Sequence, residues 1–506
     1  MLVVTLNKDK YKYDIHSLFK AFYPEQDVKM ILKDEESSLR SDEGMPSAVI
    51  DMEETEGYIE MQLVSADGTV KTERAVCAEE GTGNETANPD YATNGSTASL
   101  LTPKNALKQL IYGMLSQETG MQLPWGTLTG IRPVKIPMMM LEQGCQPEEI
   151  HDYMQKVFFT SQEKTDLSID IAQREHRLLQ GIDYRNGYSI YIGIPFCPTT
   201  CLYCSFTSYP IGAWTKEVDN YISCLEKEID YVAEAFADRQ LDTIYVGGGT
   251  PTTLSPQQLD RLLGKIENTL NLEHLRELTV ESGRPDSITP DKLRVMKQHH
   301  VSRISVNPQT MHDKTLKFIG RRHTVQQTVD AFYMAREAGF DNINMDIILG
   351  LPGETEEDVR STMTEIEKLR PDDLTVHSLA IKRASRLQEW IRENGIDTIN
   401  NTDAMMHIAH ESAARMGLKP YYLYRQKNMS GNFENTGYAQ EGKAGVYNVL
   451  IMEEKESIVA LGAGSVSKAV FDGGRIERCD NVKDVKLYME KIDEMIDRKR
   501  RLFTVR

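Results

Sequence analysis

YSIYIGIPFCPTTCLYCSF, Tyr188–Phe206, is the stretch on which the reading of this chain turns. Tyr188–Ile194 is aliphatic and aromatic apart from Ser189 and Gly193, the pattern of a strand buried on both faces. The residues after it place Cys197, Cys201 and Cys204 in the order C-x3-C-x2-C. So short a loop can bring three thiolates onto one soft-metal site. Zinc wants a fourth ligand, usually from a second Cys or His pair close by, and the neighbouring sequence offers none. Three thiolates on a four-iron cluster leave one iron open to a small molecule, which suits catalysis. Three unrelated buried cysteines, or an incomplete zinc site, are the plainer alternatives.

Downstream of this loop, short apolar runs alternate with helical patterns. The expected strands are Tyr188–Ile194, Thr243–Val246, Glu277–Glu281, Arg303–Val306, Asn342–Leu349 and Asp373–His377. In Lys216–Phe236, Val218, Tyr221, Ile222, Leu225, Ile229, Val232 and Phe236 form one helical stripe. Ser255–Leu270, Thr289–His299, Thr324–Ala338 and Glu354–Leu369 continue the series. Six βα units in succession imply a parallel sheet, either partly closed as a barrel or open and doubly wound. In both arrangements the active site belongs at the C-terminal ends of the strands.

The unusual residues fall at those ends. YVGGGTPTTL, Tyr245–Leu254, closes the second strand, and its glycines allow a close backbone approach. Glu281 ends the third strand, Gln309 follows the fourth, Asp346 interrupts the apolar fifth and His377 ends the sixth. Arg321 opens the turn RRHT. A carboxylate between Met345 and Ile347 is costly unless paired. Each could be a structural cap; as a ring they point to a polar cofactor.

Three regions are expected: an N-terminal α+β domain over 1–183, the βα repeat over 184–385, and a C-terminal α+β extension over 386–506 that covers the substrate. In the first, Leu2–Leu6 and Gly57–Val64 read as strands, and Pro103–Ser116, Pro137–Gln155 and Ser161–Gly181 as helices. The Gly- and Asn-rich stretch within 78–99 reads as an exposed loop. In the last, helices are expected at Asp403–Met416 and Lys483–Arg498.

The 506 residues carry a net charge of −18, which disfavours non-specific nucleic-acid binding. No apolar run is long enough to span a membrane, and no basic-then-apolar leader is expected at the start, so the expected location is cytoplasmic. Seven cysteines, an odd and irregular set, argue against a disulfide framework.

The cysteine loop resembles that of the radical S-adenosylmethionine (SAM) superfamily, whose members adopt a partial (β/α)6 barrel. YIGIPFC, YVGGGTPT, RISVNPQTM, IGRRHT, MDIILGLPGET and GAGS are similar to the oxygen-independent coproporphyrinogen III oxidase family. VESGRPDSI, PYYLYRQKNMSGNFENTGYA and the long N-terminal region resemble its HemZ-type coproporphyrinogen dehydrogenases. The resemblance implies that Cys197, Cys201 and Cys204 ligate a [4Fe-4S] cluster whose open iron takes SAM. It implies SAM contacts from Tyr191, Gly248, Gly249, Thr250, Glu281, Gln309, Arg321 and Asp346, with Ala380 near the adenine. The implied chemistry is reductive cleavage of SAM to a 5′-deoxyadenosyl radical, driven by a donor such as a flavodoxin or ferredoxin. Oxidative decarboxylation of two propionates would then convert coproporphyrinogen III to protoporphyrinogen IX in heme biosynthesis. A tetra-anionic substrate needs cations; Arg284, Lys382, Arg383, Arg425 and Lys427 are the candidates. Two places after Cys204, where the oxidases carry a further cysteine, stands Phe206, as in heme-binding chaperones of the family. A heme-delivery protein and an enzyme acting on another tetrapyrrole are therefore the alternatives.

Overall fold

A computed structural model describes residues 1–34, 40–42, 44–53, 57–77, 101–206, 208–382, 385–395, 399–426 and 433–504. The loop expected within 78–99, Arg383 and Lys427 lie outside the described residues. The chain forms two compact units, Met1–Ile169 and Asp170–Arg506.

The first unit is built on β1 (Leu2–Leu6), β2 (Val28–Leu32), β3 (Ser47–Glu53), β4 (Tyr58–Val64) and β5 (Val70–Val76), in the order β2-β1-β3-β4-β5. β1 pairs in parallel with both β2 and β3, and β3-β4-β5 is an antiparallel meander. Along β4 the expected alternation holds: Ile59, Met61 and Leu63 are buried and Tyr58, Glu60 and Gln62 are not. β5, VKTERAV, buries none of its side chains, and its charges suit an edge strand that must not recruit another chain. Helices Lys12–Phe22 and Pro103–Thr119 join the sheet in one apolar core. The helix expected over Pro137–Gln155 is two, Lys135–Glu142 and Pro147–Phe158. Gly144, with φ +87°, ends the first, and Pro147 starts the second behind a Gln146–Glu149 capping box.

The strands of the second unit begin with β6 (Gly187–Ile194), followed by the two-residue strands β7 (Phe196–Cys197) and β8 (Tyr209–Pro210). β9 (Gln240–Gly248), β10 (Glu277–Val280), β11 (Arg303–Ser305), β12 (Ile343–Leu349) and β13 (Asp373–Ser378) complete the repeat. Each strand lies beside its predecessor in the repeat, and every pairing from β6 to β13 is parallel. The order never reverses. A doubly wound sheet must reverse at a switch point, so this progression is that of a barrel. The cylinder stays open, as a partial barrel does.

Its margins are filled by the C-terminal region. β14 (Lys419–Tyr424) and β15 (Asn435–Ala439) extend the β13 side antiparallel, while β16 (Ser457–Leu461), β17 (Val466–Val470) and β18 (Ile476–Asp480) extend the β6 side. The result is an eleven-stranded sheet among the described residues. Helix Val218–Ala235 buries the stripe read from the sequence, including Tyr221, Leu225 and Ile229 at zero exposure. The helix expected over Lys483–Arg498 is divided into Val485–Glu490 and Ile492–Thr504.

Candidate active site

The turn from β6 into the cysteine loop is gripped by the glycines that end β9. Gly249 N–H donates to the Ile194 carbonyl at 2.8 Å and Thr250 N–H to the Phe196 carbonyl at 2.7 Å. A Cβ on Gly249 would lie 2.6 Å from the Phe196 oxygen and 3.0 Å from Cys197 Sγ. Gly248 adopts φ +104°, a conformation a side chain disfavours. The run of three glycines is thus the imprint of the cysteine loop on its neighbour strand.

The loop is fastened on its other flanks by two side chains and by backbone hydrogen bonds to two further segments. Thr250 Oγ1 donates to Cys197 Sγ at 3.6 Å. Arg284 forks onto Asp286, Nε to Oδ1 at 2.9 Å and Nη2 to Oδ2 at 2.8 Å. Its remaining nitrogen reaches Thr199 Oγ1 at 3.0 Å and Cys201 Sγ at 3.9 Å. Leu202 N–H donates to the Ile319 carbonyl, and Leu387 N–H to the Leu202 carbonyl, both at 2.9 Å. Leu202 and Tyr203 pack on an apolar cluster that contains Leu316, Ile319, Leu379 and Leu387.

Burial pushes the Cys197 and Cys204 thiols up, and the neighbouring cysteines push further in the same direction. The three sulfurs therefore share one electrostatic neighbourhood. Yet among the described residues no three His, Cys, Asp or Glu groups converge tightly enough to grip a single ion. A tetrahedral zinc with Zn–S bonds of about 2.3 Å would need sulfurs about 3.8 Å apart. In a cluster each thiolate would take its own iron and no two would share one, so three soft donors around a common space suit it without converging on one ion.

Arg321 is buried beside this space. Nη1 donates to the Asn307 carbonyl at 2.6 Å and Nη2 to the Tyr203 hydroxyl at 3.2 Å. Burial opposes its charge, but Tyr203 and Cys201 more than restore it, so it stays a cation.

Further polar groups line the C-terminal ends of the strands. Asn307 Nδ2 and Asn344 Nδ2 donate to the two oxygens of Asp346 at 2.8 and 2.7 Å, and His377 Nε2 lies 3.8 Å away. Burial alone would raise the Asp346 carboxyl; His377 and Asn344 outweigh it and hold the group ionised. Gln309, at φ +68°, bridges to β12 through Asp346 O and Ile348 N–H, both at 2.9 Å. Glu281 accepts from the Tyr245 hydroxyl, and its burial, against that bond, pushes the carboxyl up to about 7. Tyr191, Tyr245 and Tyr447 form a stack behind it, with Tyr245 and Tyr447 centroids 4.6 Å apart. Ala380 follows β13, half-buried.

Of the candidate cations, Lys382 is half-buried; burial lowers its ammonium and the charge of Cys204 raises it. Arg425, just past β14, is buried, and burial pulls it down to about 10 against the pull of Glu434. The structure brings Arg284 to the cysteine loop. Asn307, Tyr203, Tyr245 and Tyr447 went unread in the sequence. Asn307 stands inside the quoted RISVNPQTM, so an amide opposite a strand carboxylate was its one available signal.

Residues 191–366 match the radical SAM superfamily, which sets the class. The chain is 40% identical over 402 residues to the oxygen-independent coproporphyrinogen-III oxidase-like protein HemZ of Bacillus subtilis (strain 168), covering 78% of this chain and 80% of that protein. It is 32% identical over 311 residues to the heme chaperone HemW of the same organism, covering 60% of this chain and 76% of that one. Among solved structures it resembles coproporphyrinogen III oxidase (HemN) from Escherichia coli, with TM-score 0.49 and 22% identity over 63% of this chain and 73% of that one. The chain belongs to the radical SAM superfamily and, within it, to the family of oxygen-independent coproporphyrinogen-III oxidase-like HemZ proteins. Its cofactors are those of the superfamily, a [4Fe-4S] cluster and SAM. Among the described residues no helix is long and apolar enough to cross a membrane.

Proposed function

We propose that this protein oxidatively decarboxylates two propionates of coproporphyrinogen III to give protoporphyrinogen IX. The observation that carries the reading is Lys382, a half-buried cation placed by the sixth barrel strand within electrostatic reach of Cys204. A carboxylated substrate has reason to meet such a cation beside the reacting centre of an otherwise acidic protein. Arg425 supplies a second buried cation, and residues 386–506 act as the part of the chain that covers the substrate.

In this reading Cys197, Cys201 and Cys204 hold the cluster. When bound, the cluster and SAM would supply the radical chemistry for hydrogen abstraction from a propionate side chain. Thr250, Arg284 and Arg321 hold the loop and temper the charge of its thiolates. Glu281, hydrogen-bonded by Tyr245, would hold a polar part of SAM. Tyr191 and the backbone of Gly248 and Gly249 line the methionine moiety. Asp346, kept ionised by His377 and Asn344, and Gln309 take the remaining polar contacts, with Ala380 against the adenine.

One observation favours a second reading, heme delivery. Phe206 stands 70% exposed just past Cys204 and offers an apolar face to a porphyrin plane. Anaerobic reconstitution followed by a reductant, SAM and coproporphyrinogen III, with products followed by mass spectrometry, tests both. Deoxyadenosine with loss of two CO2 per porphyrin is the expected result. Deoxyadenosine with untouched porphyrin overturns the substrate; tight heme binding without SAM cleavage overturns the enzyme in favour of the chaperone.

A further inference from the structure

A concavity borders the cysteine loop, with the buried Arg321 also in its lining. It encloses about 1050 Å3, and Pro198, Thr199 and Thr200, the residues between the first two cysteines, form part of its wall. Its rim carries Lys317, Arg322 and Arg386, all exposed, against one carboxylate, Asp313. That balance runs counter to a chain of net charge −18.

Elsewhere in this unit exposed bases meet acids: Arg261 pairs with Glu226, Arg500 with Asp497 and Arg415 with Glu367. Among the described residues no carboxylate comes within ion-pair distance of Lys317, Arg322 or Arg386. Arg386 instead donates to the Thr200 carbonyl at 2.6 Å, and Thr199 Oγ1 to the Gly320 carbonyl at 2.9 Å. One part of the wall of the concavity is thus cysteine-loop backbone, tied to Gly320 and Arg386. Close by, Phe318 is 42% exposed and meets the Trp390 ring edge-on at 5.4 Å, an aromatic pair beside the cations. Unpaired cations around an apolar contact are what an acidic protein surface is drawn to.

We propose that this basic concavity is the docking surface of an acidic, low-potential one-electron donor protein, which passes its electron through the loop to the cluster. The inference rests on the reading that Cys197, Cys201 and Cys204 carry a cluster. The step is a transfer of one electron: the donor is oxidised by one, the cluster reduced by one, and no bond is made or broken. Tunnelling falls steeply with distance, so a donor seated on Pro198–Thr200 has a short path, with only the loop between it and two of the thiolates. The local field raises the encounter rate, and salt screens it over roughly 8 Å at physiological ionic strength.

The test uses the full chain with its cluster reconstituted, a reduced acidic flavodoxin as donor, and the double variant Lys317→Glu/Arg322→Glu. Neither residue touches the loop, so the variant should melt like the parent. Binding of flavodoxin, followed by fluorescence anisotropy, should weaken at least about tenfold and lose most of its salt dependence. Flavodoxin-driven bleaching of the cluster should slow by a similar factor, while dithionite-driven SAM cleavage stays within about twofold. Unchanged flavodoxin binding overturns the proposal. So does inorganic pyrophosphate that binds the parent and not the variant while flavodoxin binding is unaltered, since the concavity would then serve a small anion. Failure of dithionite to drive any SAM cleavage in the parent overturns the cluster reading instead, and the binding comparison still judges the docking surface.

Discussion

At the N-terminal ends of the barrel strands Arg303 lies 2.7 Å from Asp373, and the Tyr421 hydroxyl donates to the same carboxylate at 2.8 Å; at the C-terminal ends Arg321 meets two backbone carbonyls and a phenol and, among the described residues, no carboxylate. Both arginines are buried. The first has its counter-charge within the fold, in a set to which β11, β13 and β14 each supply a member, although Arg303 Nε and Asp373 Oδ1 have no hydrogen-bond partner among the described residues. The second is a cation held in place with its Coulomb interaction directed at Tyr203 and Cys201. A fold can bury charge to fix its own strands or to keep a field ready for something that arrives later. The same sheet does the first at one end and the second at the other.

The sharpest break in that contrast comes from the cysteine end. Cys201→Ala should abolish the brown absorbance and the bound iron after reconstitution, and leave thermal unfolding of the apoprotein nearly unchanged. Gly249→Ala should also lose most of its iron, because the new methyl would press on Cys197 Sγ and the Phe196 carbonyl. Normal iron content in Gly249→Ala would mean that the β9 turn yields and that the glycine is no imprint of the loop.

At the opposite end the large effect is on folding. Arg303→Met leaves Asp373 buried without its cation, a loss of about 3–5 kcal/mol by analogy with other broken buried pairs. Arg303→Met/Asp373→Leu should recover part of it, since replacing a whole buried pair by apolar groups is often close to neutral. Urea titration of the apoprotein reads both. If the single variant loses under about 1 kcal/mol, the pair is solvated and the contrast between the ends weakens.

The difference also governs what could be read in advance. The six parallel strands were legible because burial on both faces leaves continuous apolar runs, and the cysteines because their spacing is rare. β14 to β18 were not: in β17 Val466 and Lys468 alternate with buried Ser467 and Ala469, and β15, NTGYA, is wholly buried yet has few of the aliphatic residues that mark a strand. β5 shows no apolar face at all. Single polar residues gave the positions of Glu281, Asp346 and Arg321 but not their partners. Asn307 meets Asp346 across 39 positions, a pairing that only the register of β11 and β12 creates. Arg284, expected from its charge to meet substrate, is forked onto Asp286, two residues further on. Charge marks a residue as important without saying what it faces.

A smaller effect should appear with pH at the N-terminal end. Glu456 is buried against Asp242, and its carboxyl is pushed up to about 9 by burial first and by Asp242 next, with Ser189 opposing. The folded state keeps this proton, while the unfolded chain releases it near pH 4.3. Across that window the native state binds more protons, so stability is greatest on the acid side and declines as pH rises toward 9. Glu456→Gln keeps the hydrogen bond without the ionisation. Its unfolding free energy should fall less steeply between about pH 5 and 9 than that of the parent. Parallel curves would exclude Glu456 as the source of the slope.

The smallest effect returns to the cofactor end, where a carboxyl is poised and not paired. Glu281 is pushed up to about 7 in the free protein, by burial above all and by Asp346, while the Tyr245 hydroxyl pulls it back. If it accepts a hydrogen bond from a polar group of SAM, the carboxylate is the binding form. A group titrating at about 7 is roughly one-tenth ionised at pH 6 and nine-tenths at pH 8, so SAM affinity should rise up to about tenfold over that interval. Glu281→Gln should bind SAM more weakly at pH 8 and flatten the profile, with its melting temperature little changed at pH 6, where the parent carboxyl is itself mostly protonated. Calorimetric titration of the reconstituted protein at both pH values separates the cases. A parent profile that stays flat, or a variant profile as steep as the parent's, would make Glu281 a partner for Tyr245 alone. That end of the barrel would then hold one more self-answered charge, like the other.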